Sequence, residues 1–247
     1  MKKTNLIIIV LLAFSSTLLT NCTKTIIQER EQLYATIVGF VKINEELGNE
    51  YSSFEGVTVK IDSTEFSTTT DANGRYEIKD IPTGIYDISF KKEGIADYNI
   101  YGYQLVGGQT PTYIPTATMI EESTVSITNF KIESAEQGDQ LTVNFSGNIN
   151  IPDNNQRSLF ICIGTDSQIN HRKNNWDKYA LFSISESGSF SVEKNLDLQY
   201  SSNQKIYAVT VAVYLPANCS SYVNPYTNED IYPAFSKPSN IASYTLN

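Results

Sequence analysis

The sequence predicts an all-β protein, built as two antiparallel β-sandwiches in tandem behind an export signal. Three observations carry that expectation. Strand-length segments of alternating or continuous apolar residues recur from residue 34 to the end, separated by turn residues and without a helical period. A composition of 40% hydrophobic and 18% charged residues over 247 positions suits one large folded domain or two small ones. A short apolar run behind two lysines stands ahead of all of it.

Charge and residue inventory exclude several function classes. Acids outnumber bases 27 to 18, and a net charge of −9 repels phosphate backbones, so no nucleic acid partner is expected. The chain holds one histidine, His171, and three cysteines, Cys22, Cys162 and Cys219, with no CxxC or HxxxH spacing. That inventory excludes most zinc sites and any catalysis needing two histidines, and no cofactor or metal is expected.

Residues 1–21 read as a signal peptide: Lys2 and Lys3, then the apolar run Leu6 to Phe14, which is too short to span a bilayer. Leu18-Leu19-Thr20-Asn21-Cys22 resembles the bacterial lipobox, which implies cleavage before Cys22 and its lipidation, although Asn21 stands where a small residue is usual. Without the signal, 16 bases face 27 acids, a net −11. Residues 22–33 lack strand alternation and form a lipid-anchored tether, reaching at most about 40 Å when extended.

Residues 34–120 form the first domain. Ile37, Gly39, Val41 and Ile43 alternate with the other face of one strand, and Val57, Val59 and Ile61 do so in the next. Asp71-Ala72-Asn73-Gly74 is expected to close a hairpin before Tyr76 and Ile78 return to the core, and Pro82-Thr83-Gly84 makes the next turn, before the inward row Tyr86, Ile88 and Phe90. Gly39-Phe40-Val41, Glu55-Gly56-Val57-Thr58-Val59, Thr70-Asp71-Ala72-Asn73-Gly74-Arg75-Tyr76, Ile81-Pro82-Thr83-Gly84-Ile85-Tyr86 and Lys92-Glu93-Gly94 stand in the order and spacing of the carboxypeptidase regulatory-like family. This resemblance implies a seven-stranded transthyretin-like sandwich that is not itself catalytic; the peptidase site needs a second histidine that the chain lacks. Lys42 and Lys60 fall on the polar parity of their strands, so neither is placed for the internal Lys–Asn isopeptide bond of a related sandwich family.

Residues 121–247 form the second domain, a β-sandwich of fibronectin III or immunoglobulin-like pattern. Leu141, Val143 and Phe145 alternate cleanly. Leu159–Ile163 and Ile206–Leu215 are continuous apolar runs, expected to be central strands covered on both faces. Ser187-Gly188 reads as a hairpin turn between the strands around Phe182 and Phe190. The charge divides evenly, −6 for residues 33–120 and −5 for 121–247.

The candidate site residues lie in the second domain. Trp176 shares a polar loop with His171, and Tyr222, Tyr226 and Tyr232 stand among Asn, Pro and Ser in a long segment from Asn218 to Phe235. If these loops cluster they make an aromatic platform for glycan or peptide; the bland reading lays the same rings over the sandwich as satellite core. His171 has no GxSxG serine to serve, and Asp153-Asn154-Asn155 lacks the spaced oxygens of a calcium loop. Cys162 and Cys219 can pair as a disulfide or stand as unrelated thiols.

The layout is similar to that of small lipoproteins of the Bacteroidetes found beside glycan-uptake systems. It implies a non-catalytic outer-membrane lipoprotein, on the cell surface or the periplasmic face, a monomer that binds or scaffolds and contacts the membrane through its N-terminal lipid. The alternative is a fimbrial or adhesin-type subunit assembling by strand exchange, with Arg30 as a processing site.

Overall fold

A computed structural model describes residues 32–215 and 221–247. The signal peptide, Cys22, Arg30 and Cys219 lie outside the described residues. Leu33–Asn247 forms one compact unit, all-β, with one apolar core over residues 35–119 and another over 125–246.

The first core lies between two sheets. One has the order β4 (Arg75–Pro82), β1 (Tyr34–Asn44), then β7 (Thr112–Tyr113) and β8 (Ala117–Ile120), both parallel to β1. Ile114 N donates to the Val38 carbonyl at 2.9 Å between them, so β7 and β8 act as one interrupted edge strand. The second sheet has the order β3 (Ser67–Thr69), β2 (Thr58–Ile61), β5 (Gly84–Lys92), β6 (Ile95–Leu105). With β7 and β8 merged this is a seven-stranded sandwich, but the parallel edge departs from the wholly antiparallel expectation. The inward rows are those of the sequence: Ile37, Val41 and Ile43 face Val57, Val59, Ile88 and Phe90. Gly39 holds an inward position at which a Cβ would run into the Tyr76 ring.

Asp71–Gly74 forms a tight turn, held by Asp71 Oδ1 accepting from Asn73 N and Arg75 N at 2.9 Å each. It does not close a hairpin. β3 before it pairs with β2, and β4 after it pairs with β1, so the turn carries the chain from one sheet to the other. Gly74 has φ +78°, and a Cβ on it would collide with the Val41 carbonyl. Gly74→Ala therefore adds left-handed strain to a backbone clash, and chemical denaturation should show a loss of at least about 2 kcal/mol.

The second sandwich sets β9 (Ser126–Gln137), β10 (Leu141–Asn150) and β13 (Gly188–Leu196) against β12 (Lys178–Ile184), β11 (Arg157–Gly164), β14 (Lys205–Val213) and β17 (Ala242–Thr245). The fourth strand joins the sheet of the third, unlike the immunoglobulin constant arrangement, where it joins the first, second and fifth. Ser187-Gly188 is again a corner between sheets rather than a hairpin: β12 pairs with β11 and β13 with β10. Ser187 Oγ pins it, accepting from Ile151 N at 2.7 Å. β11 and β14 are both interior to their sheet. Their inner row, including Leu159, Ile161, Ile163, Ile206 and Ala208, joins the core, while Phe160, Cys162 and Val209 face outward against Ile169 and Trp176.

Between β14 and β17 the chain makes the hairpin β15 (Tyr222–Asn224) and β16 (Glu229–Ile231), then returns along β14. Pro238 bars a regular strand on the return. Two serines complete the ladder instead: Ser236 Oγ accepts from Ala212 N at 2.9 Å and Ser239 Oγ from Thr210 N at 3.1 Å.

Candidate functional site

The sandwiches meet in a packed junction, and the candidate site is built from it. Its centre is an ion pair that the sequence reading missed. Arg157, fully buried at the start of β11, donates through Nε and Nη2 to Oε1 of Glu46 in the loop after β1, at 3.2 and 3.1 Å. Nη2 also reaches Asp153 Oδ2 at 2.8 Å, Nη1 the Asn155 carbonyl at 3.0 Å, and the guanidinium lies 5.4 Å from the Tyr214 ring centre. Glu46 accepts further bonds from Ser123 Oγ at 2.7 Å and Thr124 N at 3.2 Å, which fixes the linker between domains. Burial raises the Asp153 pKa, but bonds from Arg157 and Asn155 outweigh it and leave the carboxyl below its ordinary range. Asp153 is thus committed to Arg157. Among the described residues no three His, Cys, Asp or Glu side chains converge as a metal site.

Beside this pair lies a small apolar seam, with Ile120 and Ala96 from the first sandwich against Val213, Ala234, Tyr214 and Phe235 from the second. Then comes the hairpin β15–β16, which the second sandwich sends across to the outer face of β6. Tyr222 donates its hydroxyl to the Asp97 carbonyl at 3.1 Å and packs 5.2 Å from Tyr98. Tyr226 donates to Asp87 Oδ1 at 3.0 Å and meets Tyr101 edge-on at 5.7 Å. That bond to Asp87, with burial second, holds the Tyr226 hydroxyl above its usual range; burial raises Tyr222 first. Hairpin and Trp176 loop also adjoin: Asp230 N donates to the Arg172 carbonyl at 2.8 Å and Asn174 Nδ2 to Asp230 Oδ2 at 2.8 Å.

A cleft of about 340 Å³ opens where these pieces join, within the range of small-ligand sites. Tyr222, Tyr232 and Phe235 supply its aromatic wall, and Asp97, Asn99, Ser123, Arg172 and Lys237 its polar rim. Tyr232 is half-buried and stacks on Phe235 with ring centres 4.7 Å apart.

The four aromatic candidates therefore divide. Tyr222 and Tyr232 share the cleft. Tyr226 is 69% exposed beyond it, tied to the first sandwich. Trp176 turns away from the cleft, edge-on to Phe160 at 6.1 Å and Tyr179 at 5.7 Å. It is a cover for the outer face of β11, because a strand apolar on both faces needs one. His171 is 4% exposed behind Phe235 and Tyr232; burial, and secondly the Arg172 charge, push its pKa down to about 4. It is a neutral ring in an aromatic wall, with no nitrogen bonded to a partner among the described residues. Cys162 is buried, with no disulfide partner among the described residues, and burial pushes its thiol up to about 12.

Comparison with known proteins gives one family-model match. Residues 36–146 match the carboxypeptidase regulatory-like domain, a span that runs past the first sandwich into β10. No curated protein matches the chain by sequence. Among solved structures, the cohesin–X-dockerin complex of Acetivibrio cellulolyticus is 23% identical over 36% of this chain, with a TM-score of 0.32, and the chain spans 58% of its length. A candidate carbohydrate binding protein from Bacteroides uniformis is 11% identical over 86% of this chain and 99% of its own, with a TM-score of 0.33. A DUF3823 family protein from Parabacteroides merdae is 13% identical over 88% of this chain and 100% of its own, with a TM-score of 0.31.

Proposed function

We propose that this chain, which carries a carboxypeptidase regulatory-like domain, is a non-catalytic binding module of the cell envelope. It takes a glycan in the cleft between its sandwiches and is held at the outer membrane by lipid on Cys22. The observation that carries this reading is the meeting of Tyr222 and Tyr232 in a junction cleft rimmed by Asn99, Asp97 and Arg172. Aromatic faces offer apolar area to the flat side of a sugar ring, while amide, carboxylate and guanidinium groups bond its hydroxyls. The packed, hydrogen-bonded junction behind them supports the wall before binding, which lowers the ordering cost. His171 is used as a buried ring of the aromatic wall, which supports the non-catalytic reading.

A glycan array probed with the mature protein should give a defined set of ligands, lost in Tyr232→Ala and weakened in Asn99→Ala, with both variants folded by circular dichroism. No glycan bound, or binding indifferent to both substitutions, would sink the site. Metabolic palmitate labelling that disappears in Cys22→Ser tests the anchor separately.

A further inference from the structure

The end of the first sandwich from which the chain leaves toward Cys22 differs in chemistry from the rest of the molecule. There the start of β1, the β4–β5 turn and the β6–β7 loop meet. Thr83 N donates to the Leu33 carbonyl at 2.9 Å, Gly108 N to the Tyr34 carbonyl at 3.2 Å, and Gly84 pairs with Leu105. Ile85 is 71% exposed and Val106 66%, and both line a shallow groove of about 360 Å³; Tyr34, at the start of β1 on the same end, is 53% exposed. No charged residue occurs from Ile81 to Tyr86 or from Tyr98 to Ile120. Single exposed apolar side chains are ordinary, but a group of them on the uncharged end of an acidic protein marks a contact surface.

We infer that this end docks on a phospholipid bilayer, so that the first sandwich rests on the membrane rather than standing off at the length of its tether. The inference rests on the lipidation of Cys22 proposed above. The path of the chain argues for this occupant. Residues 23–31 span at most about 32 Å, so this end of the domain is the part held nearest the lipid. Confinement at that range gives an effective concentration in the millimolar range, at which a weak apolar contact suffices.

Charge argues for it as well. An anionic headgroup surface repels a body of net −11 and leaves the uncharged end as the face able to approach. Isoleucine, valine and tyrosine together suit the boundary between headgroups and acyl chains. β1 sets the orientation, because its 11 residues run from Tyr34 at this end to Asn44 beside the junction, about 33 Å at 3.3 Å per step. Docking there holds the cleft away from the bilayer.

The test uses the lipidated full chain with Cys219→Ser and one added cysteine, Ile85→Cys or Val106→Cys, carrying a polarity-sensitive fluorophore. On vesicles of phosphatidylethanolamine and phosphatidylglycerol the label should shift to shorter wavelength and be quenched by brominated acyl chains. A label at Glu186→Cys on the second sandwich should do neither. Water-like emission at residues 85 and 106 on protein-bearing vesicles overturns the inference. So does a shift already present without vesicles in the Cys22→Ser form, since residues 23–31 or a second copy would then occupy the surface. If Cys22 carries no lipid, the anchoring reading fails by itself. The docking surface is then tested on the mature chain held to nickel-chelating vesicles by an N-terminal histidine tag, where quenching upholds it and absence of quenching overturns it.

Discussion

Arg157→Ala should destabilise the whole unit by about 3–5 kcal/mol, because it leaves Glu46 buried and deprived of its cation. At this size the thermal midpoint falls by roughly 10 °C or more. The loss belongs to the orphaned carboxylate rather than to a favourable net value of the pair. Arg157→Met combined with Glu46→Gln should therefore recover most of it in a double-mutant cycle. A cheap loss in Arg157→Ala, under 1 kcal/mol on the scale of exposed pairs, would show that water reaches the junction. Because Glu46 also accepts from Ser123 and Thr124, the same substitution should loosen the linker and weaken the proposed glycan binding without touching the cleft wall.

A second large effect is expected from acid. His171 keeps its neutral form in the fold, with a pKa of about 4, whereas the unfolded chain titrates near 6.5. The unfolded state thus binds the extra proton between these values. Stability is full above pH 6.5, declines as the pH falls toward 4 and levels below it, by about 3 kcal/mol in all. His171→Phe keeps a ring against Tyr232 and Phe235 and removes the titration. The difference between wild-type and variant unfolding free energies across that window isolates this histidine from the carboxylates, and a flat difference would show that His171 is hydrated.

Much of the fold was legible because parity is a strong signal. The inward rows of β1, β2 and β5 follow directly from alternation, and the two doubly apolar runs are indeed the interior strands β11 and β14. What alternation does not report is which sheet a strand belongs to. Strands on either side of Asp71–Gly74 and of Ser187-Gly188 face a common core whether they pair with each other or lie across from each other. Turn chemistry is the same in both cases, so both corners carry a hairpin's sequence signature.

The site was partly legible by the same route. Arg157 shares the parity of Leu159, Ile161 and Ile163, so the pattern already pointed a guanidinium inward and required a buried acid for it. Its partner, Glu46, is 111 residues away and gives no local sign. The aromatic segment 218–235 was visible as unusual, but its landing strip was not: Asp97, Asn99 and Tyr101 lie on the outward row of β6, which reads as an ordinary solvent face. Trp176 follows the reading that lays it over the sandwich, because the outer face of β11 is apolar and needs a cover.

The course of β1 has a mechanical consequence. It enters at Tyr34, beside the point where the chain leaves the domain, and ends at Asn44, two residues before the Glu46–Arg157 pair. Traction applied at Leu33 and resisted at the junction acts along the strand. Its ladder bonds to β4 on one side and to β7 and β8 on the other lie across that axis. They are loaded together in shear instead of peeling one after another, so the strand that carries the tension is also the one whose rupture needs most bonds to fail at once.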